Sequence, residues 1–261
     1  MSLPFGIMLL AASVVGLCFG SFLNVVIHRV PIMIQEGEQS ENMPAFTLAT
    51  PRSHCTQCKY PIPFWGLIPI FGFLILGGKC HHCKLRISWR YPLVELVTMG
   101  MTFYIFATLG LTPLAFATTF FSFALIALLF IDLETQLLPD IITLPVLWVG
   151  LLLNSFDMFT SLHDAVIGAV LGYMALWTVA AIFRRLRGVE GMGYGDFKCT
   201  AMLGAWLGWE ALPWILVIAS LSGTVFAVGY LVKHKLKRTT PIAFGPFLTI
   251  AGFIYLMVRV L

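Results

Sequence analysis

Long unbroken apolar runs govern what this chain can fold into. They occupy residues 4–27, 92–110, 113–131, 141–156, 165–183, 199–208, 212–232 and 241–261. In lipid a bare backbone N–H or C=O finds no partner, so such runs must close their hydrogen bonds within a helix. A membrane β-barrel would instead alternate apolar and polar residues along each strand. Composition points the same way. Of 261 residues, 59% are hydrophobic and 11% are charged, less than half the roughly 25% charge of soluble domains. Disorder is excluded by the same apolar content. The fold class is therefore all-α: a polytopic helical membrane protein of about eight transmembrane helices.

The basic residues test that layout. With the N-terminus outside, the loops on the inner side hold Arg29, Arg52, Lys59, Lys79, Lys84, Arg86 and Arg90, then Arg184, Arg185, Arg187 and Lys198, then Lys233, Lys235, Lys237 and Arg238. Only Arg259 falls outside. Cytoplasmic loops carry such an excess, and a seven-span count would put one basic loop on the wrong side. The first run lacks a preceding basic region and a small-residue cleavage motif, so it reads as a retained span. The stretch 63–78 is apolar but carries Pro69 and falls short of the roughly 20 residues a span needs. It is expected to pack against the membrane face or to re-enter it. The basic residues sit in short loops without an interleaved aromatic pattern, which disfavours nucleic acid as a partner.

Four of the six cysteines form two Cys-x2-Cys pairs, Cys55/Cys58 and Cys80/Cys83. Paired knuckles of this kind present four thiolates to one tetrahedral zinc ion. Disulfides are the alternative, and a reducing cytosol argues against them. Four cysteines leave no open coordination position, so the expected metal is structural. His54, His81 and His82 flank the knuckles as substitute ligands. Cys18 and Cys199 read as inert packing residues.

Carboxylates within spans are costly and mark function by default. The candidates are Glu95, Asp132, Glu134, Asp140, Asp196 and Glu210. In the eight-span layout Asp132 and Asp196 are expected at the cytoplasmic ends of their helices. Two carboxylates at one depth can share a proton: one activates water while the other, protonated, polarises a carbonyl. Asp140 follows Pro139 and fits a helix N-cap, and Glu134 falls further into the loop. Asp196 closes Gly191-Met192-Gly193-Tyr194-Gly195-Asp196, whose glycines allow close backbone approach. A phosphate-binding loop is disfavoured, because no Walker lysine follows and no strand precedes.

These residues resemble a known family. Gly193-Tyr194-Gly195-Asp196 is similar to the Gly-x-Gly-Asp signature of intramembrane aspartyl proteases. Asp132 with Leu138-Pro139-Asp140 resembles the first catalytic motif of prepilin peptidases, also called type IV leader peptidases. The segment 20–29 (Gly20-Ser21-Phe22-Leu23-Asn24 onward), the double Cys-x2-Cys and Arg90-Tyr91-Pro92-Leu93-Val94-Glu95 are similar to the bacterial form. The resemblance spans nearly the whole chain. It implies cleavage of the basic leader of type IV prepilins or type II secretion pseudopilins at the cytoplasmic face of the bacterial inner membrane. It also implies N-methylation of the new N-terminus with S-adenosylmethionine. Asp132 and Asp196 would be the protease pair, and Cys55, Cys58, Cys80 and Cys83 the zinc set.

The expected organisation is a first span (1–27), a cytoplasmic cysteine-rich zinc and methyltransferase region (28–91) and a multi-span protease domain (92–261). No Gly-x-Gly-x-x-Gly follows a strand, so an S-adenosylmethionine site must be built in another way. Glu95 is its candidate residue, with a carboxyl satisfied by neighbouring helices as the alternative. Glu36, Glu38 and Glu41 read as a solvated acidic segment, or as an attraction for a basic leader. A proton-coupled transporter competes, but its acids should lie near mid-span in two related halves. A zinc hydrolase competes too, but requires an open coordination position.

Overall fold

The computed structural model describes residues 4–37, 47–189, 191–234 and 243–260. Every regular element among them is helical: α1 (Phe5–Gly37), a 3-10 turn (Phe64–Leu67), α2 (Phe71–Ile75), α3 (Arg90–Leu109), α4 (Pro113–Thr135), α5 (Asp140–Asn154), α6 (Leu162–Arg187), α7 (Tyr194–Leu207), α8 (Ala211–His234) and α9 (Gly245–Val260). Over most of its described length, each of the eight apolar runs lies in one helix: α1, then α3 to α9. Helices α1, α3, α4, α6 and α8 are long and apolar enough to cross a bilayer, whereas α5 and α9 are apolar but shorter. The chain is a multi-pass membrane protein. Helix α1 continues ten residues past Ile27, because hydropathy marks the lipid-facing length and not the hydrogen-bonded length. The stretch 63–78 folds as the 3-10 turn and the five-residue α2, so it makes no span. Glu38, Glu41, Lys235, Lys237 and Arg238 lie outside the described residues.

The chain forms two compact units, Met1–Phe123 and Ala124–Leu261, which meet within α4. In the first, α1 packs on α3 through small residues. A Cβ at Gly16 would sit 2.8 Å from the Thr98 carbonyl oxygen, and one at Gly20 would sit 2.8 Å from the Glu95 Cα. Only glycine lets these backbones approach so closely, as lipid-embedded helix pairs require. The facing hydroxyls of Thr98 and Thr102 donate to carbonyls of their own helix. At the end of α1, the buried Arg29 guanidinium donates to the carbonyls of Thr47 (2.7 Å) and Pro51 (2.6 Å), tying the loop to the helix.

The second unit is built around α7, only 14 residues long. Its neighbours are α5, α6, α8 and α9, and residues 199–207 are all buried. A helix in such surroundings must have its last carbonyls satisfied by protein. Asn154, at the end of α5, donates to Ala205 (2.9 Å) and Trp206 (3.1 Å). Arg259 of α9 donates to Leu207 (3.2 Å), and the Gly208 N–H closes on Gly204 (2.9 Å). The Asn154 side-chain oxygen accepts from the N–H groups of Phe159 (3.0 Å) and Thr160 (3.2 Å). Trp206 is fully buried and donates to the Val146 carbonyl (2.7 Å).

Asn154→Ala strands these buried groups. Each costs about 1–3 kcal/mol before relaxation, so the variant is expected to show a clearly lowered denaturant midpoint in detergent. An unchanged midpoint would remove Asn154 from this role.

Candidate functional site

Asp132 lies in the last turn of α4 and is 4% exposed. The Gly245 N–H, at the start of α9, donates to its carboxylate. A helix N-terminus is a natural place for a carboxylate. The Asp132 Oδ2 is buried and has no hydrogen-bond partner among the described residues. A Cβ at Gly245 would lie 2.5 Å from that oxygen, so any other residue would displace the carboxylate.

Asp196 is the third residue of α7 and accepts from the Gly193 N–H. It lies within electrostatic reach of Asp132. Leu138 links the two. A Cβ at Gly195 would sit 2.9 Å from the Leu138 Cβ, and one at Gly245 2.9 Å from its Cδ1. The glycines thus let one side chain hold the α4–α5 turn, the start of α7 and the start of α9 together. Glu134, two residues from Asp132, is exposed, and so is Glu210. Buried Cys199 feels the charge of both aspartates, while Cys18 lies on the exposed face of α1, where lipid suits a thiol as well as a core does.

Asp140 does not cap α5. The N-cap is Pro139, and the Asp140 carboxylate instead takes the Lys198 ammonium with both oxygens, at 2.8 and 2.6 Å. Lys198 lies two residues after Asp196, so this pair joins the start of α5 to the segment that bears Asp196. Sequence spacing indicates the cap and hides the pairing, because the partners are 58 residues apart. Gly245 was likewise not legible. Its only signal is a glycine before Pro246 at the start of the last apolar run.

The first unit holds the cysteine cluster. The four sulfurs all lie within 4.8 Å of one another. Cys55 and Cys83 are separated by 3.7 Å, and Cys58 and Cys80 by 3.9 Å. A zinc–sulfur tetrahedron with bonds of about 2.3 Å has edges of about 3.8 Å, whereas a disulfide needs about 2.05 Å. The donor set fits a metal. The two knuckles are copies of one motif. The Cys55 N–H bonds to Tyr60 and the Ile62 N–H to Ser53; the Cys80 N–H bonds to Leu85 and the Ile87 N–H to Gly78. Lys59 and Lys84 occupy the same left-handed position, at φ 57° and 59°. The sequence signal was the short repeat Cys-x2-Cys-Lys-x2-Ile, diluted by variable neighbours. His82 stacks on Tyr60 and His81 meets Trp65 edge-on, so both imidazoles pack on aromatic rings.

The thiols are not equivalent. The Cys58 N–H holds Cys55 down to about 6. The Cys83 and His82 N–H groups lower Cys80. For Cys83 the Leu85 N–H pulls downward, but desolvation and the other three sulfurs win and push it up to about 11. Glu95, in the second turn of α3, is buried and accepts from the Ile70 N–H (2.7 Å) and the Ser21 hydroxyl.

Comparison with known proteins adds to this geometry. The model of the bacterial peptidase A24 N-terminal domain matches residues 14–109, and that of the type IV leader peptidase family matches residues 119–228. A prepilin leader peptidase/N-methyltransferase of Stutzerimonas stutzeri is 47% identical over 95% of this chain and 90% of its own length. Proteins of the same name from Pseudomonas aeruginosa (44%, covering 95% and 89%) and Aeromonas hydrophila (46%, covering 93% and 88%) are also similar. No solved structure matches the chain.

The purified protein is expected to carry one divalent metal ion per chain, lost in Cys58→Ser and in Cys83→Ser, as read by elemental analysis. Metal competes with protons for the thiolates, and Cys83 must release one on binding. Occupancy should therefore fall as the pH is lowered. Full occupancy in both variants would contradict the site.

Proposed function

The chain belongs to the type IV leader peptidase family, and on that premise we propose that it removes the basic leader of type IV prepilins or type II secretion pseudopilins. We further propose that it N-methylates the new N-terminus, using S-adenosylmethionine. The observation that carries the peptidase reading is the pairing of buried Asp132 with half-buried Asp196, with no partner for the Asp132 Oδ2 among the described residues. Two carboxylates this close hold one proton between them. The ionised member takes a proton from water as the water attacks the scissile carbonyl carbon. The protonated member donates to the carbonyl oxygen. Collapse of the tetrahedral intermediate breaks the C–N bond and returns a proton to the leaving amine. The unpartnered Oδ2 is a fitting place for the shared proton or the water.

In this reading the chain sits in the bacterial inner membrane, with its N-terminus periplasmic and the aspartates at the cytoplasmic face, as the distribution of basic residues supports. Cys55, Cys58, Cys80 and Cys83 hold a structural zinc ion that fixes the region 28–91, and the protease work falls to 92–261. S-adenosylmethionine supplies the methyl group. Glu95 is its proposed acidic contact, with acceptor capacity left beyond Ile70 and Ser21. The free N-terminal amine generated by cleavage is the methyl acceptor.

Incubation with a synthetic prepilin peptide and S-adenosylmethionine, followed by intact mass, tests both halves. Expected is loss of the leader plus one methyl group, with cleavage abolished in Asp132→Asn and in Asp196→Asn. An unchanged peptide from folded protein would overturn the peptidase reading, and cleavage without methylation the second half. Lys198→Ala should reduce kcat by about tenfold or more, since small misplacements of reacting groups are costly. The exposed pair adds little to stability. Exchange of the two charges, Asp140→Lys with Lys198→Asp, should restore most of the rate. A rate unaffected by Lys198→Ala would show that the pair positions nothing.

A further inference from the structure

Between Glu41 and Glu95 the chain contains no Asp or Glu, yet it has six basic residues: Arg52, Lys59, Lys79, Lys84, Arg86 and Arg90. The first five are exposed. The same segment displays an apolar surface where no span exists. Phe64 and Leu67 of the 3-10 turn and Phe71, Leu74 and Ile75 of α2 are exposed, by 40% to 76%. The surface is built, not frayed. A Cβ on Gly72 would collide with the Gly66 carbonyl, so the turn and α2 cross in direct backbone contact. Ile70, at φ 61°, is held between them by the Glu95 carboxylate. That bond fixes α2 at the second turn of α3, beside Leu93, Leu96 and Val97, which are exposed on a spanning helix. Trp89, 76% exposed, packs on Phe73 at the same level.

We propose that the turn-and-α2 hairpin is an interfacial anchor, seated in the headgroup layer of an anionic bilayer and holding the cysteine knuckles against the membrane surface. A soluble partner would have to cover a surface of this size on a chain segment fixed at a membrane-spanning helix. The bilayer already covers the adjoining residues of α3. Exposed aromatics with a basic, acid-free surround are the composition of surface-lying membrane segments, and basic juxtamembrane residues favour anionic lipid. Glu95 then acts as the tether that sets the depth of the hairpin. This inference stands on the membrane reading of the fold and not on the peptidase reading, so activity is not its readout.

The full-length protein would be reconstituted in vesicles of phosphatidylethanolamine and phosphatidylglycerol. It would carry a photoreactive p-benzoylphenylalanine in place of Phe71, Leu74, Leu93 or Gln57 in turn. After irradiation, covalent lipid adducts are counted by mass spectrometry. Leu93 reports correct reconstitution. Adduct yields at Phe71 and Leu74 should lie within about twofold of Leu93 and about tenfold above Gln57 at the tip of a knuckle. Replacing phosphatidylglycerol with phosphatidylcholine should lower the yields at Phe71 and Leu74 by about fivefold, with Leu93 unchanged. Adducts at Leu93 without adducts at Phe71 and Leu74 would overturn the anchor. Cross-links from Phe71 to a second copy of the chain would overturn it in favour of a self-association surface. Yields that ignore the headgroup would overturn the anionic partner.

Discussion

A 14-residue helix whose last nine residues are all buried is the constraint from which the second unit follows. Helix α7 ends inside the unit, so protein groups must satisfy its C-terminus. Asn154 and Arg259 take the carbonyls of its last turn. At its first turn stands Asp196, a carboxylate where the helix field favours negative charge. The near end is more open, with Tyr194 exposed, and there half-buried Asp196 faces the field of buried Asp132. In such surroundings two neighbouring carboxylates interact strongly and titrate together.

Glycine does a particular job here. At Gly195 and Gly245 the missing Cβ makes room for Leu138, and Gly245 also brings a backbone N–H onto Asp132. The site is thus assembled from the ends of three helices by backbone approach, with one leucine between them. The ion pair of Asp140 and Lys198 ties the start of α5 to the first half of α7. The first unit solves a different problem. Its loop has little core, and two copies of one knuckle supply four sulfurs at ligand spacing. A zinc ion there would contribute the folding energy that packing does not.

Much of this was legible in the sequence. Continuous apolar runs give helices because lipid permits little else, and among the described residues each of the eight runs is mostly helical. Paired Cys-x2-Cys gave the sulfur cluster because the spacing is local. The motifs single out Asp132 and Asp196, and the structure sets the two within electrostatic reach of each other. What escaped lies between residues distant in sequence. The roles of Asn154, Gly245 and Leu138 depend on which helix ends meet. Asp140 looked like a cap because a proline precedes it, but a cation 58 residues away outbids the backbone. The 199–208 run reads as one more span, because hydropathy cannot distinguish lipid from a ring of other helices. The equivalence of the knuckles rests on their shared hydrogen bonds and left-handed lysines, of which the sequence carries only a short repeat as a trace.

The central claim is that Asp132 and Asp196 work as one proton-sharing pair. The pH dependence of kcat/KM for leader cleavage tests it most directly. A pair active only with a single shared proton predicts a bell, falling on the acid side as the second proton binds and on the alkaline side as the last one leaves. A rate that rises with pH to a plateau, with no alkaline fall, would mean that one base acts alone, and the account would be contradicted.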